Sequence, residues 1–150
     1  MITLAHNVIK MSNGDEITVM FHVCNDADEW VRGMVSDRWP LAAAIYHAGS
    51  KKLGTVSIGK VEQNLYVANM IAKKGNKQGG NVPSFQYDAF CACLSTLAQW
   101  AANLKKDGTV VHCYGLLTPD VKAGGDKKSV ERVIMEKLDE FKFTVLGTDE

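Results

Sequence analysis

An excess of either charge is missing from this sequence: its 150 residues hold seventeen lysines and arginines against seventeen aspartates and glutamates. A balanced chain sets up no global field to draw in nucleic acid or an anionic membrane, so an anionic ligand has to be recognised locally. No apolar run approaches the roughly 20 residues that a membrane-spanning helix requires. The opening stretch MITLAHNVIK has no basic region followed by an apolar core, which argues against a signal peptide. Cys24, Cys91, Cys93 and Cys113 form no CxxC pair and match no zinc spacing, so free thiols in a reducing, cytoplasmic setting are expected. His6, His22, His47 and His112 also fall at no metal-ligand spacing, and neither a metal nor another cofactor is expected. The GxSxG elbow, the HExxH helix, the Walker loop and the GxGxxG fingerprint are all absent, which removes the reaction classes that depend on them.

What is present is an ordinary globular composition, 46% hydrophobic and 23% charged, at a length that suits one domain spanning 1–150. Two stretches organise it. Val19 to Asp26, VMFHVCND, and Leu65 to Lys74, LYVANMIAKK, read as buried strands whose last residues turn polar. Such an exit is a plain solvated strand end or, at the carboxyl edge of an α/β sheet, the place where loops open a crevice for ligands. Ile2 to Ile9 reads as a further strand, followed by an Asn13-Gly14 turn. Ile17 to Cys24 is too continuously apolar to have a wet face and is expected to be buried on both sides. His22 within it, and His112 later, read as hydrogen-bonded core imidazoles.

A loop at Asn25 to Asp37 leads to a helix over Arg38 to His47, with Pro40 in its first turn. Thr55 to Val61 and Leu65 to Ala72 predict an antiparallel hairpin. Lys73 to Pro83 carries glycines and lysines without apolar period and reads as a flexible loop beside the sheet edge. The longest helix is predicted over Ser84 to Lys106, with Ser84 as N-cap. Its inner face is Tyr87, Phe90, Leu94, Leu97, Ala101 and Leu104, at spacings of three and four. Thr109 to Tyr114 is a strand, Gly115 to Gly125 a loop, Asp126 to Asp139 a helix and Phe141 to Leu146 the closing strand. Strands alternating with helices predict a three-layer α/β/α sandwich around a mixed sheet.

The chemistry on offer is that of a phosphate-bearing ligand. Asn25 can donate to or accept from sugar hydroxyls, and Asp26 can accept. Lys73 and Lys74 can neutralise a diphosphate, or a desolvated amine there can attack a masked aldehyde carbon such as ribose C1. Ala123, Gly124 and Gly125 open a helix whose N-terminal amides suit a phosphate. Asp126 is equally suited to cap those amides itself.

The order and spacing of these pieces resemble the macro domain family, modules that bind ADP-ribose. HVCND at His22 to Asp26 resembles the strand-and-Asn motif of that family's divergent branch, and WVRGMV at Trp30 to Val35 sits where relatives carry a glycine loop. LYVANMIAKK is similar to their next strand and YDAFCACLSTLAQWAANLKKDGTVVH to their long helix and the strand behind it. AGGD at Ala123 to Asp126 resembles the Gly-Gly-Asp opening of a later helix. The resemblance covers nearly the whole chain and implies a macro-domain-like fold with ADP-ribose lying across the crest of the sheet. It implies ligand contacts from Asn7, Asn25, Asp26, Arg32, Gly33, Met34, Ala123, Gly124 and Gly125. It also implies a catalytic set of Lys73, Asn25 and Asp126, since the branch with terminal ADP-ribose glycohydrolases uses a lysine after this strand and an acidic residue in the second glycine loop.

The chain departs from the family pattern in three places. His6-Asn7 stands where relatives have Gly-Asp, Val31 replaces a glycine, and YGLLTPDVKAGGD replaces a more glycine-rich second loop. Three functions stay open on the sequence. One is an ADP-ribose binder that also hydrolyses ADP-ribose 1''-phosphate or ADP-ribosyl esters. Another is a non-catalytic reader or sponge for an ADP-ribose-derived nucleotide. The last is a structural domain with a closed crevice. The expected partner is ADP-ribose or a related nucleotide, free or carried on an ADP-ribosylated macromolecule, with no membrane and no general nucleic-acid binding.

Overall fold

A computed structural model describes residues 16–28, 30, 35, 38–75, 84–105, 109–117, 127–139 and 141–147, with the backbone alone at 127–128 and 142–147. Chain order is β1 (Ile17–Asn25), α1 (Pro40–Ala48), β2 (Val56–Glu62), β3 (Leu65–Lys74), β4 (Ser84–Phe85), α2 (Tyr87–Lys105), β5 (Val111–Leu117), α3 (Lys127–Lys137) and β6 (Lys142–Gly147). Among the described residues the strands form one mixed sheet in the order β2-β3-β1-β5-β6, with β4 paired to β3. β1 runs parallel to both β3 and β5, and β5 parallel to β6, whereas β2 and β4 pair antiparallel to β3. The β2–β3 hairpin closes through Gln63 and Asn64, the latter at φ 60°, a conformation asparagine tolerates better than most residues.

Alternation along the strands divides the core into two layers. Val19 and Phe21 of β1, Ala68, Met70 and Ala72 of β3, and Val111 and Cys113 of β5 face α2 and α3. They meet Phe90, Leu94, Leu97 and Ala101 of α2, and Val130, Val133 and Ile134 of α3. The alternate residues, Met20, Leu65, Val67, Tyr114 and Leu116, pack on Trp39 and Ala42, while Cys24 and Ile71 pack on Tyr46. Helices therefore cover both faces, and the architecture is the expected α/β/α sandwich. Side chains such as Phe90, Leu94 and Leu97, fully removed from water, contribute about 1.5–3 kcal/mol each by transfer.

The chain leaves β1 toward β3 on one side of the sheet and later crosses back to β5 on the other, so connections diverge around β1. Crevices for ligands form beyond the carboxyl ends of strands at such a reversal. In β1 those ends are Cys24 and Asn25.

Three local expectations are corrected. Ser84 is not a helix cap: it pairs with Lys74 in β4, and α2 begins at Tyr87 after Gln86 donates its backbone N–H to Ala72 O at 2.7 Å. Tyr87, expected inward, is exposed. β5 does not stop at Tyr114 but continues through Gly115 to Leu117, all of it buried. Gly115 is no breaker here. It faces the ring of Phe21, whose Cζ lies 2.4 Å from where a Cβ would sit, so the missing side chain lets the neighbouring strand's aromatic fill the core. The expected strand at Ile2 to Ile9, and most of the loop following Lys74, lie outside the described residues.

Gly115→Ala is expected to cost about 1–3 kcal/mol, the usual penalty for overpacking. The cost should shrink in a Phe21→Leu background, because the two positions share one space. Urea denaturation of the single and double variants checks this. A Gly115→Ala midpoint equal to that of the parent contradicts it.

Candidate functional site

Parallel pairing of β1 with β3 brings the two polar exits together. Asn25 is the register partner of Lys73, reached through an irregularity between Cys24 and Asn25. Beyond it, Asp26 donates its N–H to Lys73 O at 2.9 Å, and its carboxylate accepts the N–H of Gly75 at 2.9 Å. Gly75 has φ 98°, where glycine is favoured. Lys73 is half-buried on the rim, and Lys74, on the opposite face of the strand, is exposed. Of the residues expected at the site, Asn25, Asp26 and Lys73 thus come together. Asn7, Arg32, Gly33, Met34, Ala123, Gly124, Gly125 and Asp126 lie outside the described residues.

Asn25 is almost wholly buried, 2% exposed, and its side chain is held firmly. Its Oδ1 accepts the N–H of Ala27 at 3.0 Å, which closes a tight turn. The same oxygen accepts the hydroxyl of Tyr46 at 2.9 Å, and that hydroxyl is also 2.9 Å from the Asn25 main-chain oxygen. The turn is then tied to the end of α1. Asp28, at φ 58°, accepts His47 Nδ1 at 2.7 Å and lies 3.4 Å from Lys51 Nζ. The His47 hydrogen bond, followed by the Lys51 charge, holds the Asp28 carboxyl below its ordinary range. Lys51 also donates to Gly49 O at 2.6 Å and stands 5.1 Å from the centre of the Tyr46 ring.

Beneath the rim lies a polar group inside the sheet. His22 and Asn69 are register partners on adjacent strands, with His22 Nε2 2.5 Å from Asn69 Oδ1. Asn69 Nδ2 donates to Ala42 O at 3.2 Å, which orients its oxygen toward the imidazole. That oxygen only accepts, so the imidazole of His22 carries a proton on Nε2. Burial, assisted by the nearby positive charge of Lys73 and opposed by the Asn69 bond, lowers its pKa from 6.5 to about 4. Cys24 Sγ lies 3.8 and 4.0 Å from the two ring nitrogens. Cysteine, histidine and asparagine together suggest a nucleophile triad, but the chemistry is otherwise. Burial pushes the thiol well above its ordinary range, and the imidazole proton is already given to Asn69. The trio is a core network beneath the rim, with the edge of His22 against Trp30 at 5.5 Å. Of the two imidazoles expected to be satisfied in the core, His22 is bonded to Asn69, whereas His112 Nδ1 and Glu16 Oε1, 3.2 Å apart, lack hydrogen-bond geometry with each other.

Sequence reasoning overlooked Tyr46 and Asn69. The signal for Asn69 was present as a lone amide within an apolar strand on the same alternation as Lys73. Tyr46 had none, since 21 residues separate it from Asn25. Among the described residues no group of three or more His, Cys, Asp or Glu could hold a metal ion, and no helix is long and apolar enough to cross a membrane.

The His22 shift fixes a sign for acid sensitivity. The unfolded chain takes up this proton near pH 6.5 and the folded one only near pH 4, so its contribution is complete above 6.5 and lost as pH falls to 4. The amount is roughly 3 kcal/mol. His22→Gln, measured by urea denaturation across that window, should show a flatter loss than the parent. Equal slopes contradict the assignment.

No protein-family model and no curated protein sequence matches this chain. Solved structures do. A Bacteroides thetaiotaomicron protein of unknown function is 28% identical, with 94% of each chain covered and a TM-score of 0.74. The macrodomain of Thermus aquaticus DarG, at 14% identity, 93% coverage of each chain and a TM-score of 0.63, shares the fold. A macrodomain protein from Streptomyces coelicolor is 30% identical over 91% of this chain and 96% of its own, with a TM-score of 0.68. An identity at that level, sustained over almost all of both chains and on the same three layers, means that this chain belongs to the macrodomain family.

Proposed function

We propose that this chain binds ADP-ribose or a close derivative across the carboxyl rim of β1 and β3, with Asn25 meeting the distal ribose and Lys73 beside it. The observation that carries the reading is the pairing of Asn25 with Lys73 at the reversal of strand order, in a chain of this family. Oδ1 of Asn25 accepts from Ala27 N–H and the Tyr46 hydroxyl, which holds the carboxamide in place at the rim. Lys73 supplies a positive charge at the same level, which a neutral protein needs where an anion is to sit. Asn7, Arg32, Gly33, Met34 and the Ala123–Asp126 segment complete the proposed contacts, the first at the adenine and the others along the diphosphate and distal ribose.

The same pair supports a second reading, hydrolysis of ADP-ribose 1''-phosphate or of an ADP-ribosyl ester. What favours it is the half-buried position of Lys73 next to the residue assigned to the distal ribose. A lysine nucleophile acts as the free amine. Asp126 is the proposed acidic partner.

Calorimetric titration with ADP-ribose tests the binding reading. Saturable binding is expected, weakened about tenfold by Asn25→Ala, the loss of one good hydrogen bond. No heat with ADP-ribose or its 1''-phosphate contradicts it. Phosphate release from ADP-ribose 1''-phosphate tests turnover: Lys73→Ala should abolish it and keep most of the binding, and unchanged release removes Lys73 from that role.

A further inference from the structure

We infer that Lys51 is a positioning residue of this site: its ammonium ties the turn after β1 to the ends of α1 and β3, and the ligand's anion is left to other groups. The inference rests on the reading of Asn25 as a ligand contact and adds to it a residue that meets no ligand itself. A lysine beside an anion site is ordinarily a charge that neutralises the anion. Lys51 is otherwise employed. An ammonium has three protons to donate, and three acceptors stand around this one. Nζ donates to His47 O at 2.9 Å and to Gly49 O at 2.6 Å, and Asp28 Oδ1 lies 3.4 Å away. The Tyr46 ring, its centre 5.1 Å from Nζ, adds a fourth contact. The Lys51 side chain is only 18% exposed, so the ammonium is drawn in among these groups rather than out into solvent.

The contacts reach three parts of the rim. His47 is in the last turn of α1 and Gly49 follows as its cap, so Lys51 meets carbonyls at a helix end where a positive charge is favoured. Asp28 closes the turn that begins at Asn25, at φ 58°, a left-handed conformation that needs support in a residue other than glycine. His47 Nδ1 gives the same carboxylate a second tie to α1 at 2.7 Å. The backbone on either side of Lys51 is held toward β3. Thr55 Oγ1 donates to Ser50 O at 3.3 Å and to Lys52 O at 2.6 Å. Gly54 N–H donates to Ile71 O at 2.8 Å, and Ile71 N–H returns to Thr55 O at 2.9 Å. One side chain therefore joins the exits of β1 and β3 to the end of α1, and the turn carrying Asn25 is held before a ligand arrives. Restraint of this kind lowers the entropy that binding must remove.

The test uses the full chain with Lys51→Met, which keeps an unbranched stem and removes the ammonium. It also uses Asp28→Asn, which tolerates the left-handed backbone and removes the charge that draws Lys51. In the ligand-free protein, hydrogen exchange of the Ala27 amide, bonded to Asn25 Oδ1, is read by NMR. It should be several-fold faster in both variants than in the parent, with the amides of α2 unaltered. Affinities are then measured for ADP-ribose and for ADP, which lacks the distal ribose. An ion pair with an exposed partner is worth little, so each variant should weaken ADP-ribose only about threefold and leave ADP unchanged. Both variants break the same contact, so the double variant should bind ADP-ribose about as the weaker single variant does.

Unaltered Ala27 exchange in both variants overturns the inference. So does equal weakening of ADP-ribose and ADP in Lys51→Met, which makes Lys51 a contact of the diphosphate. A double variant weakened by the full product of the two single effects also overturns it, because the two groups then act apart. If Lys51→Met does not fold, Asp28→Asn decides on the same exchange and affinity readings. A parent protein that binds neither nucleotide removes the proposed function, while Ala27 exchange still decides whether Lys51 holds the turn.

Discussion

Parallel pairing of β1 with β3 is the constraint from which the rest of this molecule follows. It sets Asn25 beside Lys73 at the rim, and three residues earlier it sets His22 beside Asn69 inside the sheet. Register in a sheet with both faces buried is strongly specified, because a slip by one residue would turn every side chain to the wrong layer. Here such a slip of β1 would send His22 away from Asn69 into the apolar layer under α2, leaving both without each other. The part-buried polar pair therefore opposes misregistration, and correct registration is what assembles the rim. Structure and site depend on the same ladder.

The two faces of the sheet then divide the labour. Toward α2 and α3 the packing is apolar and close, and Gly115 is present so that Phe21 can occupy its space. Toward α1 the packing carries the polar contacts: Asn69 to Ala42 O, Tyr46 to Asn25, and the Asp28, His47 and Lys51 group at the helix end. A helix that packs through such directed contacts holds the strand ends in defined orientations, where apolar packing alone would only hold them at a distance. Positioning at the rim is accordingly a property of α1. The cysteines on either face stay as protonated thiols: burial drives Cys93 and Cys113 up to about 12, and Cys24 upward too.

Much of this was legible in the residues themselves. Continuous apolar runs at Ile17 to Cys24 and Leu65 to Ala72 identified the central strands, because a strand buried on both faces has no polar alternation to obscure it. Phe90, Leu94 and Leu97 identified α2 by helical spacing. The polar exits at Asn25 and Lys73 marked the rim before any register was known. What could not be read was of two kinds. Gly115 was expected to open a loop and Ser84 to cap a helix, and tertiary packing and strand pairing overrode both. Tyr46 and Asn69 act through partners distant in the chain, and no periodicity or motif encodes such a pairing.

The central claim is that ligand and rim meet at Asn25 and Lys73. A crystal structure of the protein with ADP-ribose tests it most directly. The account predicts the distal ribose above the ends of β1 and β3, with that sugar within hydrogen-bonding distance of the Asn25 carboxamide and the Lys73 amine alongside. A nucleotide bound elsewhere would contradict it.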